Sequence, residues 1–552
     1  MSQRNAFFLF ILILLVFTGL AFYRIGGQSL LYHDAGVYLL ETKFLDEGVH
    51  LLRALHHGGG GGAFWDEIKN QTQGVPLHSG KPGLNFIFWI TSLALGLNDS
   101  LSAKVTAASG VLGLILAFLI SRKLNDLRSA VYSTALLASS VFYLLYSRAG
   151  VAEQVVTVFF LAGLLIYLHA RDRPSFLKLF SAGLCLGYAF ASNPWRVLYM
   201  PALLIGIEVL SLALFERKWK GGVVLARLGL FALGFLMPIV AFELPYLLLK
   251  FKGGSLPFPD YWAHLAEKWG WIQAKGEIAW FRTFTDLGKE YLRVEGFFLP
   301  LLALLAWIFL PSRFLVRRNF KDFFLWAFSF VPFFYFSLSA AAQQTVPRVV
   351  SSILPLAAVS GGEFLSWMEN RTRKMLKIPM KYAEAIPFVL VGLILVQGLP
   401  GQMQRGITRS GYREASRYLR STGEKKLMIL GMEPVWRFYL GRVAYEPYNR
   451  PTRMKAMVEK ARAENIRYVV ADHTVIHSRY NASFINLLFG KVEPVRTFDN
   501  PLGGAFPYLL DAAGLHGAED ISKDPRSRKI YIFDIQQIPP ALFNNKGRKT
   551  VI

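Results

Sequence analysis

Leu84-Asn85-Phe86-Ile87-Phe88-Trp89-Ile90-Thr91-Ser92-Leu93-Ala94-Leu95-Gly96-Leu97 is a mostly apolar run of fourteen residues, and how it is counted decides the topology of the whole chain. A helix needs about 20 residues to cross a hydrocarbon core about 30 Å thick, so this run suits an interfacial or re-entrant segment. Eleven other apolar runs, several at the short end of spanning length, fall near 6–22, 103–120, 129–146, 151–169, 177–192, 197–214, 227–249, 296–311, 323–339, 348–367 and 384–400. With the N-terminus inside and the fourteen-residue run left out, nineteen Lys and Arg fall in inner loops, among them Arg122, Lys123, Arg313, Arg317, Arg371 and Arg373. The short outer turns then hold only Arg148, Arg196 and Arg348. Counting the run as a span would reverse every later loop and turn the basic clusters outward, against the positive-inside rule. The expected fold class is an α-helical polytopic membrane protein of about eleven transmembrane helices.

Composition agrees. The 552 residues are 53% hydrophobic and 14% aromatic, with a mean hydropathy of +0.34, as in polytopic membrane proteins. Only 18% are charged, yet the net charge is +24. In a soluble chain that surplus would suggest nucleic acid. Here most of it lies in short loops, where it orients the protein and meets anionic headgroups, so membrane lipids and no nucleic acid are the expected partners. The single cysteine, Cys185, excludes an intramolecular disulfide. Residues 6–22 follow Arg4 like a signal peptide, but no small-x-small site follows them, and they are read as an uncleaved anchor.

The expected domains are a transmembrane part at 1–400 and a soluble extracytoplasmic α/β domain at 401–552. The first carries a long outer loop at 23–102 with interfacial helices and a second outer loop at 250–295. Gly411 to Leu419 reads as an amphipathic helix and Lys426 to Leu430 as a buried strand. A helix near 452–464 precedes a strand at Arg467 to Ala471, and Lys529 to Phe533 is a late strand; this alternation predicts a largely parallel sheet. The glycine run Gly58 to Gly62 reads as a flexible loop tip.

Four polar patterns stand at the outer face. Tyr32-His33-Asp34-Ala35-Gly36-Val37-Tyr38 opens the first loop. Asp34 is placed to accept a proton from an attacking hydroxyl or amine, or, as the alternative, to cap a helix. Ser79-Gly80-Lys81-Pro82-Gly83 puts a lysine where it can neutralise a departing phosphate or snorkel to headgroups. Tyr146-Ser147-Arg148-Ala149-Gly150-Val151-Ala152-Glu153-Gln154 sets Glu153 at a span boundary, where an ionisable group is paired or functional; it can orient an acceptor, support Asp34, join a metal site or pair with Arg148. Thr345-Val346-Pro347-Arg348 offers a bidentate fork for phosphate, and Asn193-Pro194-Trp195-Arg196 brings a further cation. Glu41, Asp46 and Glu47 are expected on a solvated face. His56 and His57 read as an exposed pair, Trp262, Trp269, Trp271 and Trp280 as belt or sugar-stacking aromatics, and Glu243 as facing a cavity.

In this order the four patterns resemble the GT-C superfamily of polytopic membrane glycosyltransferases, near the branch of protein O-mannosyltransferases and the aminoarabinose transferase of lipid A (glycosyltransferase families 39 and 83). The resemblance covers about residues 1–400; the C-terminal part resembles the family only in position and α/β character. It implies inverting, single-displacement transfer of a sugar from a polyprenyl-phosphate carrier to a lipid, protein or polysaccharide acceptor, at the outer face of a bacterial inner membrane. Asp34 and Glu153 would be the catalytic acids; Lys81, Arg348 and Arg196 would bind the carrier phosphate. The chain departs from the family in three places. One acid stands where the family usually has a pair, Gly83 replaces the second proline of Lys-Pro-Pro, and Arg196 replaces a lysine. Some relatives use a divalent cation and others do not; no metal ligands are assigned here. The rival readings are a lipid-linked sugar flippase, which would carry repeats and mid-membrane charges, and a catalytically inactive scaffold of the same fold.

Overall fold

A computed structural model of the chain describes residues 1–56, 81–172, 175–215, 221–251, 280–343, 347–379, 382, 385–424, 426–441, 444–445, 461–476, 482–505 and 523–537. His57, the run Gly58 to Gly62, Trp262, Trp269, Trp271 and most of the expected helix at 452–464 lie outside the described residues. Contacts divide the chain into two compact units: Met1–Ile25 with Glu41–Ile407, and Gly26–Leu40 with Thr408–Ile552.

The first unit is helical. Its helices are α1 (Gln3–Phe22), the continuation of α2 (His33–His56), α3 (Pro82–Leu95), α4 (Leu101–Leu124), α5 (Leu127–Ala138), α6 (Val141–Arg148), α7 (Ala152–Asp172), α8 (Phe176–Ser192), the short α9 (Pro194–Val197), α10 (Tyr199–Phe215), α11 (Gly221–Phe251), α12 (Trp280–Glu295), α13 (Phe298–Arg317), α14 (Phe320–Gln343), α15 (Leu354–Met375) and α16 (Ile386–Gly401). Local chemistry starts them. The side chains of Ser2, Asp126 and Ser140 accept backbone N–H groups at the starts of α1, α5 and α6. Pro82 and Pro194 occupy first-turn positions that need no donor.

Each expected apolar run falls on helix, with three corrections. The run 129–146 is not one straight span: it breaks at Ser139-Ser140, and α5 and α6 are bent by 64°. Gln402 Nε2 donates to Ala138 and Ser140 carbonyls there, at 2.6 and 3.3 Å, so the break is satisfied. The run 348–367 starts as a 3-10 turn, Pro347–Ile353, before α15 begins. Finally, α8 and α10 have 17 residues each, about 26 Å of helix. Among the described residues, six helices are long and apolar enough to cross a membrane, or seven if the bent pair is one span. The chain is thus an integral membrane protein by its helices.

Small residues let short helices pack closely. A side chain at Gly183 or Gly187 of α8 would run into the carbonyls of Phe231 and Phe235 on α11, so the two backbones meet through a glycine stripe. The basic ends of several helices are tied by acids. Arg128 donates to Glu369 at 2.6 Å, Arg313 to Glu363 at 2.6 Å and to Asp322, and Glu208 receives Arg171 and Arg227 at 3.2 and 3.3 Å.

The second unit contains the start of α2, α17 (Tyr412–Ser421), β1 (Leu427–Ile429), α18 (Glu433–Leu440), β2 (Ala444–Tyr445), β3 (Tyr468–Ala471), α19 (His473–Ile476), α20 (Ala482–Lys491), β4 (Pro494–Asp499), α21 (Leu502–Ala505) and β5 (Lys529–Asp534). The sheet order is β2-β1-β3-β5-β4. β1 pairs in parallel with β2 and β3, whereas β5 runs antiparallel to β3 and β4. The sheet is therefore mixed, not largely parallel. The sequence reading missed β4 because its side chains are nearly all exposed and carry no apolar run. Met428, Val469, Ala471 and Phe533 form the buried side of the sheet with Leu488 of α20. Residues 26–40 belong here through hydrogen bonds. Ser29 Oγ and Tyr439 Oη lie 2.7 Å apart, Leu30 N–H donates to Tyr439 Oη, and Ser410 Oγ donates to the Leu30 carbonyl at 2.6 Å.

Candidate functional site

Pro82 opens α3, and the Lys81 carbonyl accepts the N–H groups of Leu84 and Asn85 at 3.1 and 3.2 Å. That fixes Lys81 at the helix start, partly buried. Gly83 is required by packing: a Cβ there would lie 2.8 Å from Ser192 Oγ and 3.1 Å from its backbone nitrogen. Tyr188 Oη, one turn back on α8, donates to the Gly83 carbonyl at 2.7 Å. The close approach of α3 to the end of α8 leaves no room for a side chain at this position.

Glu153 lies in the first turn of α7 and is 2% exposed. Its Oε1 accepts Arg196 Nε and Nη2 at 3.3 and 3.1 Å, and Arg348 Nε stands 3.9 Å from the same oxygen. The Lys81 ammonium also acts electrostatically on this carboxylate. The structure thus brings three of the five expected site residues together: two guanidiniums lie within 4 Å of one buried carboxylate. Arg148, the partner expected as an alternative, donates its Nη1 to the carbonyls of Leu20, Ala21 and Tyr23 at 2.9 to 3.0 Å. A divalent cation does not fit at Glu153, since it would sit beside two guanidiniums. Among the described residues no three His, Cys, Asp or Glu side chains group as a metal site.

Asp34 belongs to the second unit, in the first turn of α2, whose first residue is His33. Its Oδ2 accepts Tyr38 Oη at 3.3 Å and its Oδ1 lies 3.4 Å from His33 Nδ1. Gly36 presses this turn against α18: a Cβ there would lie 2.6 Å from Val435 N and 2.7 Å from the Pro434 carbonyl carbon. Glu433 opens α18, paired with Arg437 at 2.5 Å; burial pushes its carboxyl above the usual range while Arg437 and His33 pull it back.

Sequence reasoning missed three groups. Glu41, expected on a solvated face, is 1% exposed and accepts Asn85 Nδ2 at 2.5 Å. Its partner lies 44 positions away, and the amphipathic pattern of α2 holds no sign of it. Glu295 is buried at the end of α12 and accepts Ser140 Oγ, Val141 N and Phe142 N at 2.8 to 3.0 Å. It secures the start of α6, and burial pushes its carboxyl up to about 7 against the pull of those three donors. The Ser139-Ser140 pair at the helix break was the available signal. Tyr146 is fully buried, and the charges of Arg348, Glu153, Glu295 and Arg196 act on its hydroxyl. Glu243 is buried.

The chain has a GT-C fold, shared with the solved structures that follow. Residues 79–242 match the family model described as dolichyl-phosphate-mannose-protein mannosyltransferase. In solved structures, the chain is similar to the Archaeoglobus fulgidus oligosaccharyltransferase with Zn and sulfate, at 14% identity and a TM-score of 0.58, over 89% of this chain and 72% of that one. The same protein in complex with an inhibitory peptide and a dolichol-phosphate aligns at 13% identity and a TM-score of 0.54, over 88% and 71%. ArnT from Cupriavidus metallidurans in the apo state aligns at 12% identity and a TM-score of 0.55, over 98% of this chain and all of that one. No curated protein matches the chain in sequence.

Proposed function

We propose that the protein is a membrane glycosyltransferase that moves a sugar from a polyprenyl-phosphate carrier to an acceptor, by inverting single displacement. The observation that supports this most is the pairing of Arg196 and Arg348 with one buried carboxylate, Glu153, an arrangement suited to a phosphate, with the Lys81 charge acting on the same carboxylate. The acceptor oxygen or nitrogen attacks the anomeric carbon as the bond from that carbon to the phosphate oxygen breaks, and its electrons stay on the carrier phosphate. A phosphodiester of one negative charge thereby becomes a monoester of nearly two. Cations placed at that group bind the transition state better than the substrate, which is the kind of binding that accelerates the step. The acceptor proton passes to a base, and the family resemblance gives that role to Asp34. Glu153 holds Arg196 and Arg348 against their mutual repulsion.

The topology in this reading has about eleven crossings, a cytoplasmic N-terminus and an extracytoplasmic C-terminal domain, in a bacterial inner membrane. Hexosyl or pentosyl donors and lipid, protein or polysaccharide acceptors all suit the site. The test uses the full chain in lipid nanodiscs with polyprenyl-phosphate sugars and membrane extracts as acceptors. Asp34→Asn should lower transfer by about 10²–10⁴-fold while folding and carrier binding stay unchanged; transfer at the wild-type rate would remove Asp34 as the base.

A further inference from the structure

Each segment that brings a charge to the cluster also brings a buried polar atom with no hydrogen-bond partner among the described residues. With Arg196 come Ser192 Oγ and Trp195 Nε1, with Arg348 comes Ser352 Oγ, and on α6, ahead of Glu153, stands Tyr146 Oη. Ser192 and Tyr146 are fully buried and Ser352 is 2% exposed. Buried polar groups are nearly always satisfied in folded proteins, so unpaired atoms on the segments that carry Arg196, Arg348 and Glu153 leave donors for something else to bond.

Tyr146 is the most constrained of them. Its ring stacks on Phe142 at 6.0 Å between centroids, and Phe142 N–H is held by the buried Glu295 carboxylate at 3.0 Å. The hydroxyl feels Arg348 and Arg196 on one hand and Glu153 and Glu295 on the other. Both carboxylates accept from other donors, Glu153 from Arg196 and Glu295 from Ser140 and two backbone N–H groups. We infer that the Tyr146 hydroxyl is a donor to a phosphate oxygen of the lipid carrier, beside the Arg196 and Arg348 guanidiniums. This rests on the phosphate reading of the cluster given above. A neutral donor suits the position: it adds a directed hydrogen bond to a tetrahedral oxyanion without adding a further positive charge beside Arg196 and Arg348.

The test compares wild type with Tyr146→Phe, which deletes one oxygen and keeps the ring. Full-length protein in nanodiscs of zwitterionic lipid is titrated with undecaprenyl phosphate, and with undecaprenol as the uncharged control, while thermal unfolding is followed. Wild type should be stabilised by undecaprenyl phosphate and not by undecaprenol. Without added lipid, Tyr146→Phe should unfold at the wild-type temperature or slightly above it, because the lost hydroxyl had no partner among the described residues. Its affinity for undecaprenyl phosphate should fall about tenfold, or about 1.4 kcal/mol. Equal affinity in the variant overturns the inference and leaves the phosphate reading standing, and so does a lower unfolding temperature without lipid, since the hydroxyl would then bond within the protein. Failure of wild type to prefer undecaprenyl phosphate over undecaprenol overturns the phosphate reading itself.

Discussion

Glu153→Gln separates a charge clamp from a group that does chemistry. In the wild type one oxygen of Glu153 faces Arg196 at 3.1 Å and Arg348 at 3.9 Å, with the carboxylate 2% exposed. At an effective dielectric of about 20 those separations correspond to gross attractions of about 5 and about 4 kcal/mol. Desolvation offsets much of this, and removing one partner from a buried pair costs about 3–5 kcal/mol net. The glutamine keeps the shape and an acceptor oxygen but leaves two guanidiniums side by side without this counter-charge. The variant should therefore unfold earlier in nanodiscs without added ligand, by an amount corresponding to about 3–5 kcal/mol. An anion bound at the cluster restores the missing charge. Undecaprenyl phosphate should then bind the variant more tightly than wild type, by about tenfold if about 1.4 kcal/mol of the loss is recovered. Stability and affinity thus move in opposite directions. Unchanged unfolding would refute the clamp, and weaker lipid-phosphate binding would show that Glu153 serves the ligand directly.

Gly36→Ala should destabilise the second unit by about 1–3 kcal/mol, because the added methyl meets Val435 N at 2.6 Å and backbone cannot yield cheaply; faster proteolysis after Thr408 in the full-length variant checks it. Glu295 gives a pH dependence whose sign follows from its raised carboxyl, about 7 against 4.5 in the unfolded chain. The folded state binds the extra proton between those values, so stability is fully present below about pH 4.5 and is lost as pH rises through about 7. The loss approaches about 3 kcal/mol at 1.36 kcal/mol per unit. Glu295→Gln should flatten that part of the stability profile, and a profile identical to wild type would count against the buried carboxyl.

Membrane character, the place of most helical runs and the polar patterns worth following are legible in the chain alone. Apolar run length and the position of Lys and Arg are local or additive properties, and they survive without knowledge of packing. Strands β1, β3 and β5 were legible for the same reason: their apolar side chains are consecutive in the chain. The remaining features depend on partners far apart in sequence. The break at Ser139-Ser140 is sealed by Glu295 and Gln402, Glu41 is buried by Asn85, and Gly83 is required by Ser192. The antiparallel return of β5 made the sheet mixed, and Glu153 found Arg196 and Arg348 rather than Arg148. A charge's neighbours set its meaning, and those neighbours are assembled by helix packing, which no single stretch of the chain encodes.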